Sequence, residues 1–129
     1  MDVKEQLSEI QVRRASVVKE MGEHQAAIKK RRKDEELALQ NIELLTKNRG
    51  LEKAKEVVNL PLMIQYKEAI SGNRAILEGV REAILLAAAS IERGQKILAE
   101  MDKWISTHEK QFGKVIPFDR DRSKAQSQV

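Results

Sequence analysis

The sequence predicts an all-α protein: a long antiparallel helical hairpin, in effect a coiled coil, that associates further into a multi-helix bundle. Two observations carry that expectation. Ile70, Leu77, Ile84, Ile91, Leu98, Ile105 and Phe112 stand seven residues apart. Between them runs a second series, Tyr66, Asn73, Val80, Ala87, Gly94, Met101 and His108. A period of about 3.5 residues kept over so many turns asks for supercoiled helices. The composition agrees. With one Trp, one Tyr, two Phe and two Pro in 129 residues, the chain has too few aromatics and turn residues for a sandwich of short strands. Its 41% apolar content is too high for general disorder.

The first helix is expected over about residues 3–49. Its stripe reads Val3, Leu7, Ile10, Arg14, Val17, Met21, His24, Ile28, Arg31, Glu35, Ala38, Ile42 and Leu45, alternately four and three apart. Arg14, Arg31 and Glu35 interrupt the apolar series, so this helix is less committed than the second. Asn48-Arg49-Gly50 reads as a stop, with basic residues suiting the negative end of the helix and Gly50 offering a left-handed position.

Residues 50–60 form the expected connector. Asn59 can cap a following helix, and Pro61 is tolerated in a first turn; the other reading is a kink within one continuous helix. The second helix is expected over about 61–112, completing a hairpin within residues 1–112. Residues 113–129 are largely polar apart from Val115-Ile116-Pro117-Phe118, and are read as an extended or disordered tail whose apolar segment either docks on a partner or packs back over the hairpin's open end near Leu7 and Trp104. A register follows from a turn centred in the connector: Leu45 opposite Tyr66, Met21 opposite Ser90-Ile91 and Arg14 opposite Leu98.

A single partner helix covers a seam two positions wide, whereas the second helix offers a third apolar series, Ala69, Ile76, Ala83, Ser90, Ile97 and Trp104. An uncovered face of that kind marks an interaction surface. The residues expected to bury on self-association are Ile76, Ala83, Ile84, Ala87, Ile91, Ile97 and Trp104. A homo-oligomer with a further protein partner is therefore expected.

The sharpest local signal is Lys29-Lys30-Arg31-Arg32-Lys33, followed by Asp34-Glu35-Glu36. Five consecutive basic residues surround a helix instead of forming one stripe. The acidic run offers them i,i+4 pairs (Lys30–Asp34, Arg31–Glu35, Arg32–Glu36) in the weaker orientation. With Arg13 and Arg14, this belt is the candidate contact for phosphate, nucleic acid or an acidic protein partner. The net charge of +4 is modest for a dedicated nucleic-acid binder. His24 and His108, the two histidines, fall on seam positions and read as interface residues. Asn73 is the polar seam residue best suited to fixing register.

Nothing in the pattern points to catalysis. There is no phosphate-binding glycine loop, no nucleophile elbow and no histidine beside an oriented acid. With no cysteine there is neither a disulfide nor a thiolate metal site, which fits a reducing compartment. No cofactor or metal is expected. The longest apolar run, Ala83–Ala89 with Ser90 and Ile91 behind it, falls far short of the roughly 20 residues of a membrane span, so no membrane insertion is expected. The leading functional expectation is a non-enzymatic, cytoplasmic assembly, scaffold or adaptor subunit acting through protein–protein contacts. The alternative is a nucleic-acid-binding accessory factor using the basic belt.

Overall fold

A computed structural model describes residues 2–112. The expected all-α hairpin is present: two helices, α1 (Val3–Lys53) and α2 (Leu60–Phe112), pack against each other. The segment 113–129, including Val115, Ile116, Pro117 and Phe118, lies outside the described residues.

Helix α1 starts at a cap. The Asp2 carboxylate accepts a hydrogen bond from the Glu5 backbone N–H at 2.8 Å, satisfying one of the donors that a helix start leaves open. Glu5 then sits in the first turn, where a negative charge suits the helix dipole.

The helix does not stop at Asn48-Arg49-Gly50, as the sequence suggested. It continues to Lys53, and the connector shortens to residues 54–59. The reason is Glu52, which is buried at the last turn. Its carboxylate accepts the Asn59 backbone N–H at 3.0 Å and holds the Lys55 ammonium at 2.6 Å. Those bonds gather both sides of the turn around one helical residue, which outweighs the cost of roughly 1 kcal/mol for Gly50 in a helix. Asn59 caps α2 as its sequence position implied. Its side chain accepts the Leu62 N–H at 3.1 Å and its carbonyl accepts the Met63 N–H at 3.0 Å. Pro61 falls in the first turn, where its missing donor costs nothing.

Two compact units make up the described chain, one of residues 24–89 and one of residues 2–23 with 90–112. In the turn-containing unit the core is Ala38, Ile70, Leu77, Val80 and Ile84, all buried. Full burial of the larger members, Ile70, Leu77, Val80 and Ile84, is worth about 1.5–3 kcal/mol each. Two polar contacts fix the register there. Glu35 meets Arg81 at 3.1 Å and Asn41 donates to Asn73 at 3.4 Å. Asn73 also donates to the Ala69 carbonyl at 2.8 Å, so the seam asparagine has partners on both helices.

In the other unit Leu7 is the most enclosed residue. Arg14 is buried and its guanidinium meets Asp102 at 2.6 Å and 3.3 Å. Met21 lies against Gly94, so closely that a Cβ there would stand 2.7 Å from the Met21 Cγ.

These contacts correct the expected register by about one helical turn. Arg14 meets Asp102 where Leu98 was expected, and Met21 meets Gly94 where Ser90-Ile91 was expected. A heptad seam tolerates such a slip because the same face stays inside. The Arg14–Asp102 ion pair and the close fit of Met21 on Gly94 hold the slipped pairing in that unit.

Candidate interaction surface

Along α1 the expected stripe matches the observed inner face. From Val3 to Leu45 every member is buried or half-buried except Arg31. Arg31 is 51% exposed and pairs with Asp34 at 3.8 Å. Along α2 both seam series, Tyr66 to His108 and Ile70 to Ile105, are likewise buried or half-buried.

The residues expected to self-associate fall into two groups. Ile84 is only 6% exposed and spends its side chain inside the hairpin, with Ile91 half-buried on the same series and Ala87 half-buried on the adjoining seam series. Ile76 and Ile97 are exposed, at 57% and 43%. Ala83 and Trp104 are half-buried, and the Trp104 ring stacks on His108 with centroids 3.8 Å apart. The His108 Nδ1 also approaches the Trp104 carbonyl at 2.9 Å, so this histidine is engaged within its own helix.

What the sequence reading missed is a second apolar stripe on α1. Leu37, Leu44 and Leu51 stand seven apart and are 57%, 58% and 60% exposed. Residues seven apart on a supercoiled helix share one line, so the three leucines form a ridge. The spacing is present in the sequence, but the longer seam stripe beside it dominates the periodicity of α1. Asn41 lies between Leu37 and Leu44 on this flank, and its bond to Asn73 places the ridge on the Asn73 side of the seam. On α2 the same flank carries Ile76, three residues after Asn73, then Ala83 and the exposed Leu86. Gly72 and Gly79 lie along it too, and a Cβ added at either would meet nothing within 4 Å.

The basic belt has a different character. Lys29, Lys30, Arg31, Arg32 and Lys33 are all exposed. The acidic run answers them at i,i+3, with Arg31–Asp34 and Arg32–Glu35, in place of the expected i,i+4 pairs. Glu35 dictates this. It is held toward the seam by Arg81, and Arg32 reaches it there at 3.1 Å. The two guanidinium groups, Arg81 first, hold the Glu35 carboxyl below the usual carboxylate range. Lys55 and then the Asn59 N–H do the same for Glu52, and the Glu52 carboxylate raises Lys55 in return. Arg13 pairs with Glu9 at 2.7 Å, and Arg14 is buried against Asp102, away from solvent.

Among the described residues no group of three or more His, Cys, Asp or Glu is placed to hold a metal, and no helix is long and apolar enough to cross a membrane. No family model, curated protein or solved structure matches the chain.

Proposed function

We propose that this chain is a non-enzymatic, cytoplasmic subunit of the assembly, scaffold or adaptor kind, working by packing an exposed face of its hairpin against further helices. The observation that carries this reading is the leucine ridge of α1. Three large aliphatic side chains in line, each more than half exposed, are costly in water at about 25 cal/mol per Å². The flank they share with Ile76 and Leu86 has the character of an interaction surface. Of the exposed large apolar side chains among the described residues, only Val12 and Ile97 belong to the other unit. Exposure is thus concentrated at the turn end.

The nucleic-acid alternative is less well supported. Arg14 is committed to Asp102 inside the hairpin, and Arg13, Arg31 and Arg32 each have an acidic neighbour. The test is isolation of the protein from its own cells under native conditions, with and without nuclease and at two salt concentrations. The reading expects a protein assembly that survives both treatments. An assembly that dissolves with nuclease, or weakens steeply with salt as phosphate contacts do, would transfer the function to the basic belt.

A further inference from the structure

Deepening that reading, we infer that the occupant of the exposed flank is a second copy of this chain, laid face to face by a two-fold axis parallel to the helices, so that α1 of each copy covers α2 of the other. The inference rests on the flank being an interaction surface, and adds what binds there and in which orientation.

The two helices of the flank match each other in shape. In the register set by the Glu35–Arg81 contact, Leu37 lies level with Gly79 and Leu44 level with Gly72. Both steps are seven residues, so ridge and notches share one spacing. The glycines open onto free space. A two-fold axis along the hairpin exchanges the two helices while preserving level, which sets Leu37 of one copy over Gly79 of the other and Leu44 over Gly72. Glycine at such a contact lets backbones approach and leaves room for a leucine side chain. The surface is complementary to itself, as an isologous dimer requires.

Their outer edges also match in charge. Along the outer edge of the ridge, α1 carries Lys33 and Lys47; along the outer edge of the notched flank, α2 carries Glu68 and Glu82. All four are exposed, and among the described residues none of them forms an ion pair within the hairpin. Both pairs are fourteen residues apart, and in the observed register Lys33 is level with Glu82 and Lys47 with Glu68. The same two-fold axis brings each lysine alongside the glutamate of the second copy. The competing axis, across the helices, would stack α1 on α1 and set lysines beside lysines. Complementary edges choose the orientation, as flanking charges do in coiled coils. Every adjacent helix pair in the resulting four-helix bundle is antiparallel, which also suits the helix dipoles.

The test uses the full chain. Wild type is expected to sediment as a dimer of the 14.7 kDa chain at micromolar concentration. Lys33→Glu with Lys47→Glu, and separately Glu68→Lys with Glu82→Lys, are each expected to weaken that dimer by about tenfold or more, with helical content unchanged. Mixing the two variants is expected to restore it, because their edges are again opposite. As the chain lacks cysteine, mixing Leu44→Cys with Gly72→Cys is expected to give an oxidised heterodimer in preference to a Leu44→Cys homodimer. A monomeric wild type overturns the inference. So does a dimer insensitive to the charge exchange, or one whose crosslinks join position 44 to position 44. A monomer that still binds another protein through Leu37 and Leu44 overturns the second copy alone and leaves the proposed function standing.

Discussion

Gly94 and Gly22 are both helical glycines of the same unit, and replacing each with alanine should move stability in opposite directions. At Gly22 an added Cβ meets nothing within 4 Å, so Gly22→Ala should give the full helix-propensity gain of about 1 kcal/mol. At Gly94 the same methyl would stand 2.7 Å from the Met21 Cγ, 2.8 Å from its Sδ and 3.7 Å from the Val17 Cγ1. Carbon contacts are best at about 3.5–4.0 Å, so Met21 must retreat by about 1 Å from a seam that is already filled. Overpacking of this kind costs about 1–3 kcal/mol, and the flexibility of Met places it toward the middle of that range. After the propensity gain, Gly94→Ala should destabilise by about 1 kcal/mol, leaving about 2 kcal/mol between two chemically identical substitutions. Denaturant melts followed by far-UV circular dichroism at one protein concentration measure the difference. Combining Gly94→Ala with Met21→Ala should show a favourable coupling of about 0.5–3 kcal/mol. A Gly94→Ala chain as stabilised as Gly22→Ala would refute the pairing of Met21 with Gly94, and with it the register of that unit.

Other perturbations separate inner from outer positions. Ile84→Ala should cost about 2–5 kcal/mol as a buried truncation, whereas Arg31→Ala should stay within about 0.5 kcal/mol as a surface change; equal losses in matched melts would mean that the seam is misassigned. Asp102→Ala leaves the buried Arg14 guanidinium without its acid and should cost about 1–3 kcal/mol, while Arg14→Met should be nearly neutral because it removes the charge as well. In acid, Glu35 and Glu52 hold folded-state pKa values below their unfolded ones. Their contribution is therefore complete above the ordinary carboxylate range and is lost as pH falls through and below it. Denaturation midpoints should drop across that window in wild type and drop less in Glu35→Gln and Glu52→Gln.

The seam was legible because periodicity alone determines which face a helix buries, and a pattern kept over about twelve turns of each helix leaves little ambiguity. Asn59 as cap and Asn73 as seam polar were legible for the same reason, since local chemistry picks them out. Register was not. Sliding one turn keeps Leu7, Ile70 and Ile84 inside, and the choice depends on long-range pairs such as Arg14–Asp102 that no local pattern announces. The end of α1 escaped too, because Gly50 signals a stop while the carboxylate that overrides it finds its donor seven residues on, at Asn59. Ile84 was expected at an outer interface, and its series proved to be the hairpin's own core. The ridge of Leu37, Leu44 and Leu51 is written in its seven-residue spacing, but it is short beside the thirteen-member seam stripe of the same helix.

If the ridge flank at the turn end is the working surface, the mass of the native assembly depends on it. Sedimentation across a concentration series should compare wild type, Leu37→Lys with Leu44→Lys on the ridge, and Leu85→Lys on the opposite flank, where Leu85 is 70% exposed. The ridge variant is expected to lose the assembly while remaining helical, and Leu85→Lys to keep the wild-type mass. An assembly that survives two lysines on the ridge, or fails with Leu85→Lys instead, would contradict that role of the ridge flank.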